Sequence, residues 1–293
     1  MSPDSPPSVT SVTSVLYDRL KQDQRISLCI PARNEAETIG PLLRELLNHR
    51  VITEGLIDEV IVIDDRSDDD TALVASQCGA TVWSSSDWMG RFGPSRGKGD
   101  AMWRSVAAST GEIIVWCDAD LSNFDPSMMW ELLRPMLLDD DLLLVKGYFD
   151  RNAEGIVGGG RVTELAARPL LSVLFPDLAG IRQPLSGMAA IRRSAAEALS
   201  FEADYGVDVG LLIGVYQRFG RESIAEADLG PIDHRHRPLI ELGAMAASVQ
   251  RAILRRAGVI EEKPTLLSPP VRPSLETVVG YRRARHRSLV RPA

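Results

Sequence analysis

Short runs of apolar residues alternate along this chain with longer segments in which apolar residues recur every three or four positions. The short runs predict buried strands, and the spaced positions predict amphipathic helices. The predicted strands are 26–31, 59–63, 80–83, 113–117, 142–147, 188–191 and 224–229. The predicted helices are 38–48, 71–78, 101–109, 127–137, 162–174, 208–219 and 239–256. Strand and helix alternate through residues 26–121, which predicts the nucleotide-binding half of a doubly wound α/β fold.

The apolar run that starts at Ile113 leads directly into two acidic residues, Asp118 and Asp120. Ligands of parallel sheets bind beyond the carboxyl ends of the strands, and residues i and i+2 of a strand point the same way. We therefore expect both carboxylates in the ligand crevice, where they would suit Mg²⁺ together with substrate phosphates. Taken alone, the same pattern also fits a strand that ends in a loop with two solvated aspartates.

Two further polar segments lie at positions where ligands bind in such folds. Asp64 and Asp65 close the second strand, where acids often bind ribose or base groups, although capping of the next helix also explains them. Lys98 lies between Gly97 and Gly99 at a helix start. There the lysine could neutralise a phosphate that the glycines allow to approach the backbone, and the alternative is a solvated loop. The chain contains no Walker motif, and no Gly-x-Gly-x-x-Gly follows the first strand, which argues against a dinucleotide cofactor.

The second half of the chain holds two more candidate segments. Gly158-Gly159-Gly160-Arg161 precedes a predicted helix, where backbone N–H groups, the helix dipole and an arginine would bind an anion. A glycine hinge would have the same sequence. His234 and His236 lie in a polar loop after the last strand. Neutral imidazole is a common metal ligand, but such histidines are also ordinary surface residues.

Composition and charge limit the class of protein. The 293 residues carry a formal charge of −7, which argues against general nucleic-acid binding. Cys29, Cys78 and Cys117 share no close spacing, which indicates free thiols in a reducing cytosol. No apolar run reaches the roughly 18 residues that span a bilayer, and the first residues lack a secretory pattern. We therefore expect a soluble cytoplasmic protein without integral membrane association.

Four short motifs follow one another in the first half of the chain. They are Ile30-Pro31-Ala32-Arg33-Asn34-Glu35, Val62-Ile63-Asp64-Asp65, Gly97-Lys98-Gly99 and Asp118-Ala119-Asp120. In order and spacing they resemble the GT-A fold glycosyltransferases of the family-2-like superfamily. Longer motifs at residues 145–151, 159–165, 182–187, 205–213 and 234–239 resemble the glucosyl-3-phosphoglycerate synthase family. The resemblance covers about residues 26–256.

This resemblance implies a GT-A fold, a doubly wound and mostly parallel α/β sheet with a C-terminal acceptor-binding half. It implies a metal-dependent, retaining hexosyltransferase that moves glucose from UDP-glucose to the 2-hydroxyl of 3-phosphoglycerate with Mg²⁺ or Mn²⁺. Metal and lysine would stabilise the charge that develops on the departing diphosphate. The expected partners are UDP-glucose or GDP-glucose and a small phosphorylated hydroxy acid, without nucleic acid, and we expect a homodimer.

The resemblance also assigns residues by position. The metal ligands would be Asp120 and His234. The nucleotide-sugar contacts would come from Pro31, Ala32, Glu35, Asp65, Lys98, Asp118 and Ala119. The acceptor contacts would come from Gly160, Arg161, Val162, Thr163 and His236. The catalytic positions would be Asp120, Asp208 and Leu185, with Asp208 and the backbone around Leu185 at the sugar.

The chain departs from that family at a few positions that concern the acceptor and the sugar. His236 stands where the family has asparagine, and Asp208 stands where it has the longer glutamate. Ser186-Gly187-Met188 replaces the family's Ala-Gly-Glu, and the segment between Gly147 and Gly158 is shorter. The fold and the metal are less affected by these differences.

The chain is expected to have four parts. Residues 1–23 would be an N-terminal extension, largely disordered, and 24–147 the nucleotide-sugar-binding half. Residues 148–258 would bind the acceptor and supply C-terminal helices, and 259–293 would be a proline-rich, then basic tail.

Two other functions remain open at this point. The same fold could transfer sugar to another small phosphorylated acceptor, or to polyprenyl phosphate at a membrane, which the basic residues at 282–291 favour. The chain could also bind a nucleotide sugar without turnover.

Overall fold

The computed structural model describes residues 17, 20–121, 123–150, 160–232, 239–261, 271–278 and 281. Within them, seven strands form one sheet, and two short strands pair separately. The seven are β1 (Ile26–Ala32), β2 (Glu59–Asp64), β3 (Thr81–Ser84), β4 (Ile113–Trp116), β5 (Leu144–Asp150), β6 (Ala189–Arg192) and β8 (Ile224–Pro231). The short pair is β7 (Phe201–Glu202) and β9 (Val271–Arg272), which are antiparallel.

The order of strands in the main sheet explains how the two halves of the chain meet. The order is β3-β2-β1-β4-β6-β5-β8. Neighbours are parallel except β6, which runs antiparallel to both β4 and β5. Because β6 runs the opposite way, the loop before it lies beside the carboxyl end of β4. The predicted doubly wound, mostly parallel sheet is confirmed, and its one reversed strand brings the second half of the chain to the ligand edge.

Helices cover both faces of this sheet. They are α1 (Ala36–Asn48), α2 (Arg50–Thr53), α3 (Thr71–Gln77), α4 (Lys98–Ala108), α5 (Ser127–Leu138), α6 (Arg168–Leu174), α7 (Arg193–Ala198), α8 (Val207–Phe219) and α9 (Leu239–Arg256). Alternate strand residues contribute to two hydrophobic clusters, with Cys29 and Ile61 in one and Leu28 and Val60 in the other. This alternation is what a sheet that is buried on both faces requires.

Every strand and helix that the apolar pattern predicts is present, with ends shifted by a few residues. The predicted helix at 101–109 begins earlier, at Lys98. The predicted helix at 162–174 consists of a π-helical turn (Thr163–Ala167) followed by α6. Among the helices that the structure describes, none has the length and apolar character needed to cross a bilayer.

Part of the segment that composition marks as a tail packs onto the core. Arg272 of β9 is buried, forms an ion pair with the fully buried Asp100, and its guanidinium donates to Phe92 O at 2.6 Å and Pro94 O at 3.2 Å. Arg104 pairs with the other Asp100 oxygen at 3.2 Å. These contacts hold the loop that leads into Lys98. The four-part division of the chain stays a prediction. Most of the predicted N-terminal extension (1–16, 18 and 19) lies outside the described residues, whereas Tyr17 is buried and Lys21 Nζ lies 2.7 Å from Asp58 Oδ2.

Candidate functional site

Lys98 is the first residue of α4. Glycine is required on both sides of it by the conformation of the backbone at Gly97 and by the close packing of the chain against Gly99. Gly97 has φ of 138°, a conformation that favours glycine. A Cβ on Gly99 would overlap Glu202 O, and the next backbone N–H, of Asp100, donates to Ala203 O at 3.0 Å. The prediction that these glycines admit a phosphate to the backbone is wrong for Gly99, because residues 202–204 occupy that space.

Three charged side chains from distant parts of the chain meet at the ligand edge of the sheet. Lys98 Nζ lies 2.9 Å from Asp118 Oδ1 and 3.2 Å from Asp208 Oδ2. Burial acts to lower the pKa of Lys98, but the two carboxylates outweigh it, so that pKa lies well above its ordinary value. Burial raises the pKa of Asp208, and Lys98 opposes that shift. Lys98 is therefore a permanent cation between two acids.

The loop 183–187, which precedes β6, covers this charged cluster. Gly187 has no room for a side chain, because a Cβ there would lie 2.2 Å from both Lys98 Nζ and Asp118 Oδ1. Ser186 O accepts a hydrogen bond from the buried Lys146 of β5, and Gln183 Nε2 donates to a backbone carbonyl of the same strand. The loop is thus held against the Lys98 cluster at both ends.

Leu185 lies in the middle of this loop and is half-buried. Its side chain packs against the hydrophobic cluster that contains Cys29 and Ile61. The predicted contact between the Leu185 backbone and a sugar therefore stays a prediction, but the loop does lie beside the charged cluster. Lys146 and Gly187 are site residues that the sequence analysis missed. Lys146 lies inside an apolar strand pattern, where a lysine gives no sign that it faces a site.

Asp118 and Asp120 lie just beyond the last paired residue of β4. Strand β4 ends at Trp116, and the Cys117 N–H still donates to Cys29 O of β1 at 3.2 Å. Ala119 between them is buried, whereas both aspartates are half-buried and accessible to a ligand. This alternation of burial agrees with two carboxylates that face the same side, and their place in the ligand crevice stays a prediction.

The donor set at this edge fits a hard divalent cation that is completed by substrate. Magnesium typically takes one or two protein carboxylates and fills its shell with phosphate oxygens and water. Asp118 and Asp120 supply such carboxylates. Within the described residues, no three His, Cys, Asp or Glu side chains gather closely enough to hold a metal on their own. His234, the other predicted ligand, and His236 lie outside the described residues.

The predicted nucleoside contacts lie where β1 and β2 end. Asp65 is buried, its N–H donates to Ala32 O at 2.8 Å, and its carboxylate lies 3.3 Å from both Ser85 Oγ and Arg66 Nε. Pro31 is half-buried beside Ala32 in β1. The Asp65 carboxylate is thus held in a fixed direction at the strand end, as a base- or ribose-binding acid would need to be.

The loop after β1 is tied to the loop after β2. The Glu35 N–H donates to Thr71 Oγ1 at 2.8 Å, and its carboxylate accepts from Thr38 Oγ1 at 2.9 Å. Asn34 has a left-handed backbone with φ of 56° and exchanges hydrogen bonds with the second loop, including its N–H to Ser67 Oγ at 3.0 Å. These contacts make the two loops one wall of the site.

The predicted acceptor residues surround the start of the π-helical turn. Arg161 is exposed, whereas Val162 and Thr163 are buried. Gly160 O accepts from the Glu164 N–H at 3.0 Å. Since the Val162 side chain packs in the hydrophobic cluster, any acceptor contact from it is left to its backbone.

Sequence comparisons place this chain among glycosyltransferases. A family model described as "Glycosyl transferase family 2" matches residues 27–199. The glucosyl-3-phosphoglycerate synthase of Mycolicibacterium smegmatis is 42% identical over 244 residues, which are 82% of this chain and 80% of that protein. The Petrotoga mobilis protein of the same name is 41% identical over 241 residues, which are 80% of this chain and 74% of that protein.

Solved structures give the same result. Glucosyl-3-phosphoglycerate synthase from Mycobacterium tuberculosis, in complex with Mn²⁺, UDP-glucose and phosphoglyceric acid, matches with a TM-score of 0.82 and 37% identity, over 93% of this chain and 96% of that chain. A complex of that protein with Mn²⁺, UDP and glucosyl-3-phosphoglycerate matches with a TM-score of 0.81 and 37% identity, over 94% of this chain and 98% of that chain.

Proposed function

The chain belongs to glycosyl transferase family 2 and, within it, to the glucosyl-3-phosphoglycerate synthases, and we propose that it transfers glucose from UDP-glucose to 3-phosphoglycerate. The predicted family, fold class and enzyme type are confirmed. The observation that carries the proposal for this chain is the cluster of Lys98, Asp118 and Asp208 beneath the loop 183–187. It combines a fixed cation with two acids at the edge of the sheet where ligands bind.

Asp120 and His234 would hold Mn²⁺ or Mg²⁺, with Asp118 beside the ribose. The M. tuberculosis protein has been solved with Mn²⁺ and UDP-glucose, and with Mg²⁺ and UDP. When bound, such an ion neutralises the charge that develops on the diphosphate. The half-buried carboxylates of Asp118 and Asp120 are accessible, so they can share an ion with substrate oxygens.

Lys98 would bind the departing diphosphate. An ammonium group has three donors, two of which are directed to Asp118 and Asp208. The third donor would be left for a phosphate oxygen. Because the pKa of Lys98 is held high by both carboxylates, its charge is present before the diphosphate leaves and needs no proton transfer.

Arg161 would bind the acceptor with Gly160 and Thr163. 3-Phosphoglycerate carries a phosphate and a carboxylate, and the guanidinium fork matches either anion with two parallel hydrogen bonds. Arg161 is exposed beside the buried Val162 and Thr163, so a small anion can approach it from solvent. His236 is the remaining predicted acceptor residue.

The transfer would retain the α configuration of the donor. The loop 183–187 contains no acid or histidine, and Asp208 is ion-paired with Lys98, so neither serves as a base opposite the leaving group. The acceptor hydroxyl would attack on the side of the diphosphate. The bond from glucose C1 to the diphosphate breaks, the bond to the acceptor oxygen forms, and the hydroxyl proton passes to the departing phosphate oxygen.

A donor-by-acceptor screen tests this function. UDP-glucose and GDP-glucose are each combined with 3-phosphoglycerate, glycerol 3-phosphate and polyprenyl phosphate in Mn²⁺, and products are measured by mass spectrometry. Fastest turnover with UDP-glucose and 3-phosphoglycerate is expected. Faster transfer to polyprenyl phosphate, or UDP binding with no product from any pair, would contradict the proposal and favour one of the alternatives.

A cytoplasmic location and a homodimeric state are also part of the proposal. The three cysteines are free, which suits a compartment that keeps thiols reduced. Cell fractionation and light scattering test these two statements. A membrane-bound fraction or a mass near 32.1 kDa would contradict them.

A further inference from the structure

Arg168, the first residue of α6, forms a two-point ion pair with the turn that follows the predicted acceptor residues. Its Nε lies 2.9 Å from Glu164 Oε2, and its NH2 donates to Glu164 Oε1 at 3.1 Å. Glu164 lies in the π-helical turn, directly after Thr163. The two nitrogens and two oxygens form the paired geometry in which arginine binds a carboxylate most specifically.

The remaining donors of the same guanidinium bind a different segment. The NH1 group donates to Ala179 O at 3.1 Å and Ile181 O at 3.2 Å, and NH2 donates to Arg182 O at 2.9 Å. Residues 179–182 lead directly into the loop 183–187. The Arg168 side chain therefore joins the π-helical turn Thr163–Ala167 to the loop that covers the Lys98 cluster.

The bound segment is itself held on its other side. The Arg182 N–H donates to Glu226 Oε1 of β8 at 2.7 Å, and its guanidinium lies 4.2 Å from the ring centre of Tyr148 in β5. Ile181 is fully buried. These contacts fix residues 179–182 to the sheet. Because Arg168 binds both this segment and Glu164, it holds the π-helical turn at a fixed distance from the sheet.

The geometry of the π-helical turn affects the direction of the predicted acceptor residues. A π turn contains one more residue than a regular turn, and that residue rotates the preceding side chains by roughly 100° relative to the rest of the helix. The rotation applies to Gly160, Arg161 and Thr163, which lie at or before the turn. π turns are rare and often occur at functional sites.

We propose that Arg168 is a positioning residue that sets the distance between the acceptor-binding residues Arg161 and Thr163 and the loop 183–187. It would thereby align the acceptor hydroxyl with the donor glucose. This inference rests on the proposed function of the site. Displacements of about 1 Å in such alignments typically cost on the order of 100-fold in rate.

Kinetics of four variants test the proposal. Arg168→Gln loses the ion pair and most donors, and Arg168→Lys keeps the charge without the planar fork. Both are expected to raise the KM for 3-phosphoglycerate and lower kcat, each by about 10-fold or more. Glu164→Gln, which leaves the three carbonyl contacts, should have a smaller effect. Arg134→Gln is the control. It removes only the ion pair between Arg134 and Glu131 within α5, at 3.6 Å, and should change neither constant.

Donor binding separates positioning from a general loss of structure. The Kd for UDP in Mn²⁺ is expected to stay within about 2-fold of wild type in both Arg168 variants, because the hydrogen-bond partners of Arg168 include none of the residues assigned to the donor. Kinetic constants equal to those of Arg134→Gln would overturn the proposal. So would a parallel loss of UDP affinity together with a lower Tm, which would make Arg168 a structural residue only.

Hydrogen exchange distinguishes failure of this proposal from failure of the proposed function. If wild-type protein forms no product from 3-phosphoglycerate, the function is wrong, and the link is then judged by amide exchange alone. In Arg168→Gln, the amides of 160–167 and 183–187 should exchange faster together, with no change in Arg134→Gln. Unchanged protection of either segment would overturn the proposal independently of activity.

Discussion

At the scale of single residues, the site depends on side chains that are held before any substrate binds. Asp118, Asp208 and Lys98 form one ion cluster, although Asp208 lies 110 positions from Lys98 along the chain. A cluster of this kind needs no reorganisation when charge develops on a leaving group. The predicted roles of its members differ, but their charges are coupled, so a change at one of them alters the others.

The metal prediction concerns Asp120 and His234. Asp120→Ala and His234→Ala are each expected to abolish Mn²⁺-dependent UDP binding, because each removes a ligand from an ion that the substrate helps to hold. Calorimetric titration with UDP, with and without Mn²⁺, measures this directly, and unchanged Tm excludes unfolding. Asp141→Ala is a control, since Asp141 is exposed before the amino end of β5. UDP affinity equal to wild type in Mn²⁺ would remove that residue from the metal site.

Gly187 provides a second residue-scale prediction. Gly187→Ala should lower kcat/KM by at least about 10-fold, because the added Cβ would lie 2.2 Å from Lys98 Nζ and Asp118 Oδ1 and must displace the loop. Gly180→Ala in the same segment is the matched control, since a Cβ there meets no atom within 4 Å. Steady-state kinetics of the two variants decide the matter. Equal activity of both would show that the loop can move without loss.

Lys146 predicts a particular dependence of stability on pH. Burial lowers the pKa of Lys146 from its ordinary value of 10.5 to about 8. The positive charge of Lys98 also lowers this pKa, whereas the negative charges of Asp208, Asp118 and Glu226 raise it. Between these two values the unfolded chain binds a proton that the folded chain does not. The free energy of unfolding therefore rises with pH in this window, and below it both states carry the proton.

Lys146→Met removes this contribution. The difference in unfolding free energy between wild type and Lys146→Met should shift in favour of wild type as pH rises from 8 towards 10, by up to about 1.4 kcal/mol for each pH unit. Urea unfolding at several pH values measures it. Parallel pH profiles for the two proteins would show that the Lys146 pKa is not lowered.

At the scale of secondary-structure elements, β9 connects the C-terminal segment to the loop before Lys98. Arg272→Met would leave the buried Asp100 without one of its two arginine partners, and breaking a buried pair typically costs about 3–5 kcal/mol. Glu276→Gln, in the same segment, removes only the exposed ion pair between Glu276 and Arg218, at 3.6 Å. It should lower the free energy of unfolding by less than about 1 kcal/mol. Chemical unfolding distinguishes the two. Similar losses for both would show that the buried pair adds little.

The elements that the sequence predicts are those with a long apolar pattern. β1, β2 and β4 are continuous apolar runs, and α9 repeats its apolar positions over 18 residues. β7 and β9 escape prediction because two residues contain no period, and their pairing joins segments about 70 positions apart. The π-helical turn escapes as well, since its residues show the same apolar spacing as an α-helix.

The candidate site was predictable only where motifs carry it. Asp118, Asp120 and Lys98 stand out by their position after a strand or before a helix. The ion pair between Lys98 and Asp208, and the contact of Lys146 with the loop 183–187, depend on the reversed strand β6. No local pattern indicates that reversal, so these partners appear only when the sheet is assembled.

At the scale of the whole molecule, one sheet brings donor and acceptor segments to a common edge. The predicted donor residues Pro31, Ala32, Asp65, Asp118 and Asp120 lie in or just after β1, β2 and β4. Because β6 runs antiparallel, it places the loop 183–187 beside the end of β4. The acceptor residues are joined to that loop through Arg168. The central claim is therefore that the molecule holds donor and acceptor on the same face of the sugar for a transfer that retains configuration.

Proton NMR of the product tests this claim most directly. Wild-type protein with UDP-glucose, 3-phosphoglycerate and Mn²⁺ is expected to form glucosyl-3-phosphoglycerate with the small anomeric coupling of an α-linkage. Asp208→Asn should form the same anomer more slowly, because Asp208 is assigned to positioning the sugar and not to removing a proton. A large, β-type coupling from the wild-type protein would contradict the account and make Asp208 the base of an inverting reaction.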